Sequence, residues 1–234
     1  MSTMIASRSI RVVCFDWGGV ILRICRSWSE ACAKAGLDVR GDSASSEHAA
    51  HRRAAAHAFQ TGAIDEATFT RRLSEALGGL YTPEEVGRIH DAWLIEEYAG
   101  VAEVIAHLNR VERVQTALLS NTNERHWRRR APRAGCTLPT FPTITTLRHP
   151  HASHILRCAK PEESIYVAFE HAVGAKPHEI LFFDDLEENI RTAGARGWHV
   201  CQIDHTGDTA LQISRQLASH GLLEDERVMA GAKP

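Results

Sequence analysis

The chain has 234 residues, 44% of them hydrophobic and 24% charged, and a formal net charge of −2 with histidine neutral. That length and balance describe an ordinary globular protein with a sizeable core, so neither disulfides nor a metal are needed merely to fold it. The weak net charge argues against a broad nucleic-acid or membrane footprint. Met1 to Ser9 contains no apolar stretch of the length of a signal peptide or span. The six cysteines form no C-x-x-C pair, and Cys14 and Cys201 fall inside apolar runs as small hydrophobes, so a reduced, cytoplasmic protein is expected.

The first predicted strand, Arg11–Leu22, is an apolar run that drives into Asp16 and is followed at once by Gly18 and Gly19. A run of this kind reads as a buried strand, and the glycine pair as a sharp loop at its carboxyl end. In open α/β sheets ligands bind at that edge. A carboxylate there, beside backbone amides freed by glycine, can attack an electrophile or hold a metal, which makes Asp16 the leading candidate.

From about Arg26 to Tyr98 no strand-like run is found, only amphipathic helices. One carries Ile64, Phe69, Leu73 and Leu77 on a single stripe. Another opens with Thr82 as N-cap, Pro83, and Glu85 closing a capping box. This block, residues 25–98, reads as an all-helical cap inserted into a core of residues 1–24 and 99–234, with hinges at the junctions near Gly19 and Gly100.

Beyond it the spacing predicts helix Val101–Arg110, strand Arg113–Ser120, helix Glu124–Arg130, strand Pro142–Leu147, helix Pro161–Val173, strand Glu179–Asp184, helix Leu186–Arg196 and strand Gly197–Ile203. Strands alternating with helices imply right-handed crossovers and an α/β fold: a doubly wound, Rossmann-like parallel sheet of about five strands. Pro161 and Pro177 suit the first turn of a helix or loop. Arg128-Arg129-Arg130 reads as a solvated helix face. His149, His151 and His154 crowd one loop, and with no Cys or carboxylate at ligand spacing they read as solvated histidines rather than a zinc site. The tail after Glu224 is expected to be loose.

Three further features fall at predicted strand ends. Ser120-Asn121-Thr122-Asn123 places a hydroxyl and loop amides where a phosphate oxygen could accept from them. Lys160 stands at a helix opening as a compact cation. Asp184-Asp185 supplies hard oxygen ligands of the kind Mg²⁺ takes. Each alone has a plainer reading, as a helix cap or a surface lysine. Together, in this order at one sheet edge, they point to phosphoryl chemistry.

The ordered set resembles the haloacid dehalogenase superfamily of phosphohydrolases, over nearly the whole chain. Asp16 matches the first motif, Ser120 the second, Lys160 the third and Asp184-Asp185 the fourth, with Asn189 after it. Lys176-Pro177 is a rival third motif, but only Lys160-Pro161 leaves room for a helix before the Asp184 strand. The resemblance implies that Asp16 is a nucleophile forming an aspartyl-phosphate, and that Ser120 and Lys160 offset charge on the phosphoryl group. It implies Mg²⁺ held by Asp16, the Gly18 carbonyl and Asp184 with Asp185 in support, and a phosphate site completed by Gly18, Gly19 and Asn121. The substrate implied is a small phosphorylated metabolite chosen by cap closure. Arg23, Arg26 and Trp28 are candidate substrate contacts, with packing the simpler role for Trp28. The motifs carry no signal for an oligomeric state.

The family's phosphatases usually place a second aspartate two residues after the nucleophile, as general acid and base; here that position is Gly18. Such a group contributes about 10²–10⁴-fold. Asp-Trp-Gly-Gly-Val and Ser-Asn-Thr-Asn are similar to the α-D-glucose-1-phosphate phosphatase branch, so a sugar phosphate with a good leaving group is one expectation. Dehalogenase or phosphonatase chemistry is an alternative, although phosphonatases use a cap lysine and only Lys34 is available. A non-catalytic phospho-ligand-binding module is the third reading.

Overall fold

Strand β1 (Val12–Phe15) is buried along its whole length because both of its faces are covered. In the computed structural model, which describes residues 10–132, 134–137 and 139–223, β1 lies at the centre of a five-stranded sheet. The other strands are β4 (Gln115–Ser120), β5 (His149–Ala152), β6 (Ile180–Asp184) and β7 (His199–Gln202), in the order β5-β4-β1-β6-β7, and every pairing is parallel. Val13 and Phe15 point to one side and pack with Ile105, Ile213 and Leu217; Val12 and Cys14 point to the other and pack with Ile165, Phe169 and Trp198. This period-two split divides one apolar run between two cores and makes the strand read as continuously hydrophobic. The expected α/β sheet of five parallel strands is the architecture found.

Four helices separate the first strand from the rest of the sheet: α1 (Trp28–Lys34), α2 (Ser46–Gln60), α3 (Glu66–Ala76) and α4 (Pro83–Asp91). They close around an apolar cluster of their own that includes Phe69, Leu73, Leu77, Val86 and Ile89, with Ile64 at its margin. The Thr82–Glu85 capping box is formed in both directions. Two short antiparallel strands, β2 (Leu22–Ile24) and β3 (Leu94–Glu97), join this block to the sheet. Strand β3 was not expected, because four residues reading Leu-Ile-Glu-Glu give no periodic signal. Helices α5 (Val101–Leu108), α6 (Glu124–Trp127), α7 (Ser153–Leu156), α8 (Glu163–Val173), α9 (Glu187–Ala195) and α10 (Thr209–Ser219) complete the chain. No helix among the described residues is long and apolar enough to cross a membrane.

Three expectations are corrected. Pro142–Leu147 is not a strand. The Thr145 and Thr146 hydroxyls donate to the Pro142 and Thr143 carbonyls, and Glu97 accepts from the Thr143 amide and hydroxyl, leaving a 3₁₀ turn over Thr143–Thr146. Such local bonds compete with a ladder. The strand lies later, at His149–Ala152, and its Pro150 is tolerated because β5 is an edge.

The arginine run is a 3₁₀ turn at the junction with the helical block; Arg128 and Arg130 are exposed as expected, but all three side chains also make contacts. Arg128 pairs with Glu66, Arg129 donates to the Asp91 carbonyl, and Arg130 lies over Trp127.

The three histidines are also engaged. His149 bonds Gln115, His151 packs edge-on against Phe169, and His154 meets the Thr122 carbonyl. Met1 to Ser9 and the tail after Glu224 lie outside the described residues.

Candidate active site

Strand order brings the carboxyl ends of β4, β1 and β6 side by side, and three of the predicted residues stand there. Asp16 follows β1, its amide donating to the Phe183 carbonyl at 2.8 Å; Ser120 ends β4 and Asp184 ends β6. Lys160 arrives from the loop before α8 and its Nζ lies 2.7 Å from Asp184 Oδ2 and 2.9 Å from Asp16 Oδ1. Asp184 has no solvent exposure; the Leu186 amide and the Asn189 side chain also donate to it. The next residue, Asp185, accepts from Arg26 Nη1 at 2.8 Å. Lys176 takes no part, as its amide bonds Glu179.

Asp16 and Asp184 thus share one buried ammonium, and Asp185 beside them pairs with Arg26. Burial raises the Asp16 carboxyl to about 7; Lys160 opposes that rise, while Asp184 and Asp185 add to it. Burial pulls Lys160 down, but Asp16 and Asp184 outweigh it and hold the ammonium above its ordinary range. Asp16 Oδ1 is buried, with the Lys160 ammonium 2.9 Å away as its one close polar contact among the described residues. Oxygens of Asp16, Asp184 and Asp185 lie within 4.8 Å of one another. Three carboxylates, all offering hard oxygen donors, set against two cations fit a small divalent cation such as Mg²⁺.

The glycine loop differs from expectation at one position. The Gly19 amide donates to the Leu22 carbonyl at 2.7 Å, so it is not free for a phosphate. Glycine is required there for two other reasons: φ is +83°, and a Cβ would stand 2.4 Å from Asp185 Cγ. Gly18 has ordinary backbone geometry, and a Cβ there would meet only the Ile24 side-chain tip at 3.0 Å.

Asn121 also does something else with its side chain. Its amide donates to the Lys160 carbonyl and its oxygen accepts from the Lys160 amide, at 2.8 and 2.9 Å. This two-bond clamp fixes the lysine's backbone, leaving only main-chain groups of Asn121 for a ligand. Arg23 pairs with Glu96 on the exposed ribbon, 3.7 Å apart, and is not a cavity residue, which removes it from the candidate substrate contacts.

A cavity of about 410 Å³ lies over this edge. Gly18, Ser120 and Asn121 line it from the sheet; Trp28, Arg52 and Arg53 line it from the helices. Ser120 is 3% exposed, and its hydroxyl has no partner among the described residues. Trp28 packs edge-on against Tyr81 as expected and contributes to the wall as well. Arg52 and Arg53, His90 and His126 were not foreseen. The two arginines interrupt the alanine-rich run from Ala49 to Ala56, a cationic mark that could have drawn notice.

A family model described as a haloacid dehalogenase-like hydrolase matches residues 10–197. Among solved structures, a HAD family enzyme from Bacteroides thetaiotaomicron superposes with a TM-score of 0.69 at 22% identity, covering 86% of this chain and 96% of that one. A predicted HAD-like family hydrolase from Porphyromonas gingivalis gives 0.67 at 26% identity, over 89% and 98%. A Mycobacterium tuberculosis protein named phosphatase MT3486 is 31% identical over 74 residues, which is 32% of this chain and 34% of that relative.

Proposed function

Since the chain belongs to the haloacid dehalogenase-like hydrolase family, we propose that it is a Mg²⁺-dependent phosphatase of small phosphomonoesters, working through an aspartyl-phosphate. The observation that carries this reading is the meeting of Asp16, Lys160 and Asp184 within 3 Å contacts, beside a third carboxylate and a cavity floored by Ser120. The Bacteroides enzyme, whose fold this chain shares, is described in complex with magnesium and inorganic phosphate, and the partial mycobacterial relative is named a phosphatase.

Asp16 attacks phosphorus with one carboxylate oxygen; the new O–P bond forms as the ester O–P bond breaks, and the leaving group departs as its oxyanion, which takes a proton from water. Water then attacks the same phosphorus, releasing phosphate and restoring the carboxylate. Lys160 favours the ionised form of Asp16 against the penalty of burial and faces the transferring group with positive charge. The Ser120 hydroxyl donates to a phosphoryl oxygen. Asn121 keeps Lys160 in place through its backbone. Asp16, the Gly18 carbonyl, Asp184 and Asp185 would hold Mg²⁺, which when bound neutralises phosphoryl oxygens. Residues 25–98 act as a cap over the cavity, with the β2–β3 ribbon as its stalk.

No aspartate or glutamate is among the cavity's lining residues, and Gly18 occupies the usual acid position. Leaving groups that need no proton, such as those of sugar 1-phosphates and aryl phosphates, are therefore the preferred class. A Mg²⁺ assay across such esters, repeated with Asp16→Asn, tests the reading; release of phosphate from none of them rejects it. Chloride release from 2-chloropropionate would replace it with dehalogenase chemistry, and unchanged biological output from Asp16→Asn with a binding role. Phosphonatase chemistry finds no support, because Lys34 is exposed on α1 and does not line the cavity.

A further inference from the structure

The charge on the cavity wall is one-sided. Three arginines, Arg26, Arg52 and Arg53, are among its lining residues, and the acidic side chains nearby, Asp16, Asp184 and Asp185, belong to the site at the strand ends and not to this wall. Arg26 is accounted for by its pairing with Asp185 at the sheet edge. Arg52 and Arg53, on α2, pair with no carboxylate among the described residues. Arg52 is half-buried; it lies over the Trp28 ring, 5.2 Å from the centroid, and donates to the Ser43 carbonyl. Burial, with Arg53 adding repulsion, holds its guanidinium below the usual arginine range.

A partly desolvated cation normally has an anion beside it, because withdrawing it from water unpaired is unfavourable. The neighbouring positions on the same helix face, Ala49 and Ala56, are small and also line the cavity, so they leave room in front of the guanidinium. Two more lining residues, Trp17 and Trp28, carry buried indole N–H donors that no acceptor among the described residues meets. The wall thus presents cationic and indole donors to the cavity.

Resting on the phosphatase reading of this site, we infer that the substrate carries a second anionic group, distal to the phosphoryl group, and that Arg52, supported by Arg53, binds it. The guanidinium fork matches a carboxylate or a phosphate in bidentate fashion, and stacking on Trp28 presets its plane. The substrate class is thus a phosphomonoester with an anion at its far end, and the cavity of about 410 Å³ is of the size that small molecules occupy.

Matched aryl esters test this. The probes are 4-carboxyphenyl phosphate and 1,4-phenylene bisphosphate, each compared with the neutral 4-carbamoylphenyl phosphate, using full-length protein with Mg²⁺. KM for at least one anionic-tailed ester is expected to fall about tenfold below that of the neutral one, the size of a single charge-assisted contact. The arm that shows the preference distinguishes a carboxylate from a phosphate. Arg52→Met should collapse the KM ratio toward one, Arg52→Lys should keep part of it, and Arg53→Met should weaken it, each with a wild-type circular dichroism spectrum. Equal KM for all three esters in the wild type, or a ratio untouched by both methionine variants, overturns the inference and leaves the phosphatase intact. If no ester is hydrolysed, the phosphatase reading falls instead; calorimetric binding of the same three probes then decides, with equal affinities overturning the second-anion site.

Discussion

The imidazoles of His90 and His126 stack face to face, 4.0 Å between centroids and 9° between planes, one from α4 in the helical block and the other from α6 beside the sheet. His126 Nε2 donates to the His90 carbonyl at 2.8 Å, and Asn123 Nδ2 lies 3.0 Å from His90 Nε2. These contacts tie α4 to α6, and both histidines line the cavity.

Both rings are held neutral. Burial lowers His90 to about 4 and His126 well below its usual value. Below pH 6.5 the unfolded chain takes up protons that the folded rings refuse, so stability is lost as pH falls from about 6.5 to about 4, by roughly 1–3 kcal/mol for half-buried His90. Metal-free Asp16 works in the opposite sense: its folded carboxyl, at about 7, keeps a proton the unfolded chain has released. Melting curves in an Asp16→Asn background should therefore fall with acid across this window, and His90→Gln should flatten them. A slope unaffected by His90→Gln would mean that other groups set it.

Asp16→Asn should lower kcat by about 10³-fold or more, since it removes the nucleophile. The same change should raise, not lower, the melting temperature of the metal-free protein above pH 7, because it deletes a carboxylate whose ionisation burial resists. Turnover assays and calorimetric melts on one preparation check both.

Lys160→Met leaves Asp16 and Asp184 buried without their common cation. A loss of about 3–5 kcal/mol is expected at pH 8. Part of it should return at pH 5, where Asp16 is protonated, and part on adding Mg²⁺. Denaturant titrations at the two pH values measure it; equal losses at both would refute the charge argument.

Gly18→Asp restores a carboxyl at the vacant acid position, where only the flexible Ile24 tip stands close. It should speed hydrolysis of alkyl phosphates about 10–100-fold and leave p-nitrophenyl phosphate much less changed. A plot of log kcat/KM against leaving-group pKa, flatter in the variant, is the expected signature. Gly19→Ala should instead damage the loop, since both φ and the Asp185 contact exclude a side chain.

Chelation by EDTA should abolish turnover, and Mg²⁺ should raise the melting temperature in a concentration-dependent way. Asp184→Asn should lose that stabilisation. A melt indifferent to Mg²⁺ in the wild type would exclude the carboxylate cluster as its site.

Local pattern carried the parts of this molecule that depend on neighbours in the chain. The Val12–Phe15 run, the capping box at Thr82 and the polar residues placed straight after apolar strands were legible because burial on a sheet, helix starts and strand ends each leave a short-range mark. Folding supplied what depends on distant surfaces meeting. Asn121 turns from the phosphate to clamp Lys160, Arg26 pairs with Asp185 across 159 positions, and Arg128 and Arg129 reach the helical block. The edge strand settles on His149–Ala152 because threonine hydroxyls close the preceding segment into a turn. The cationic cavity wall has the same origin: only packing decides that Arg52 and Arg53 line the cavity over the sheet edge. A sequence gives the sign of each side chain; its partner is chosen by the three-dimensional arrangement.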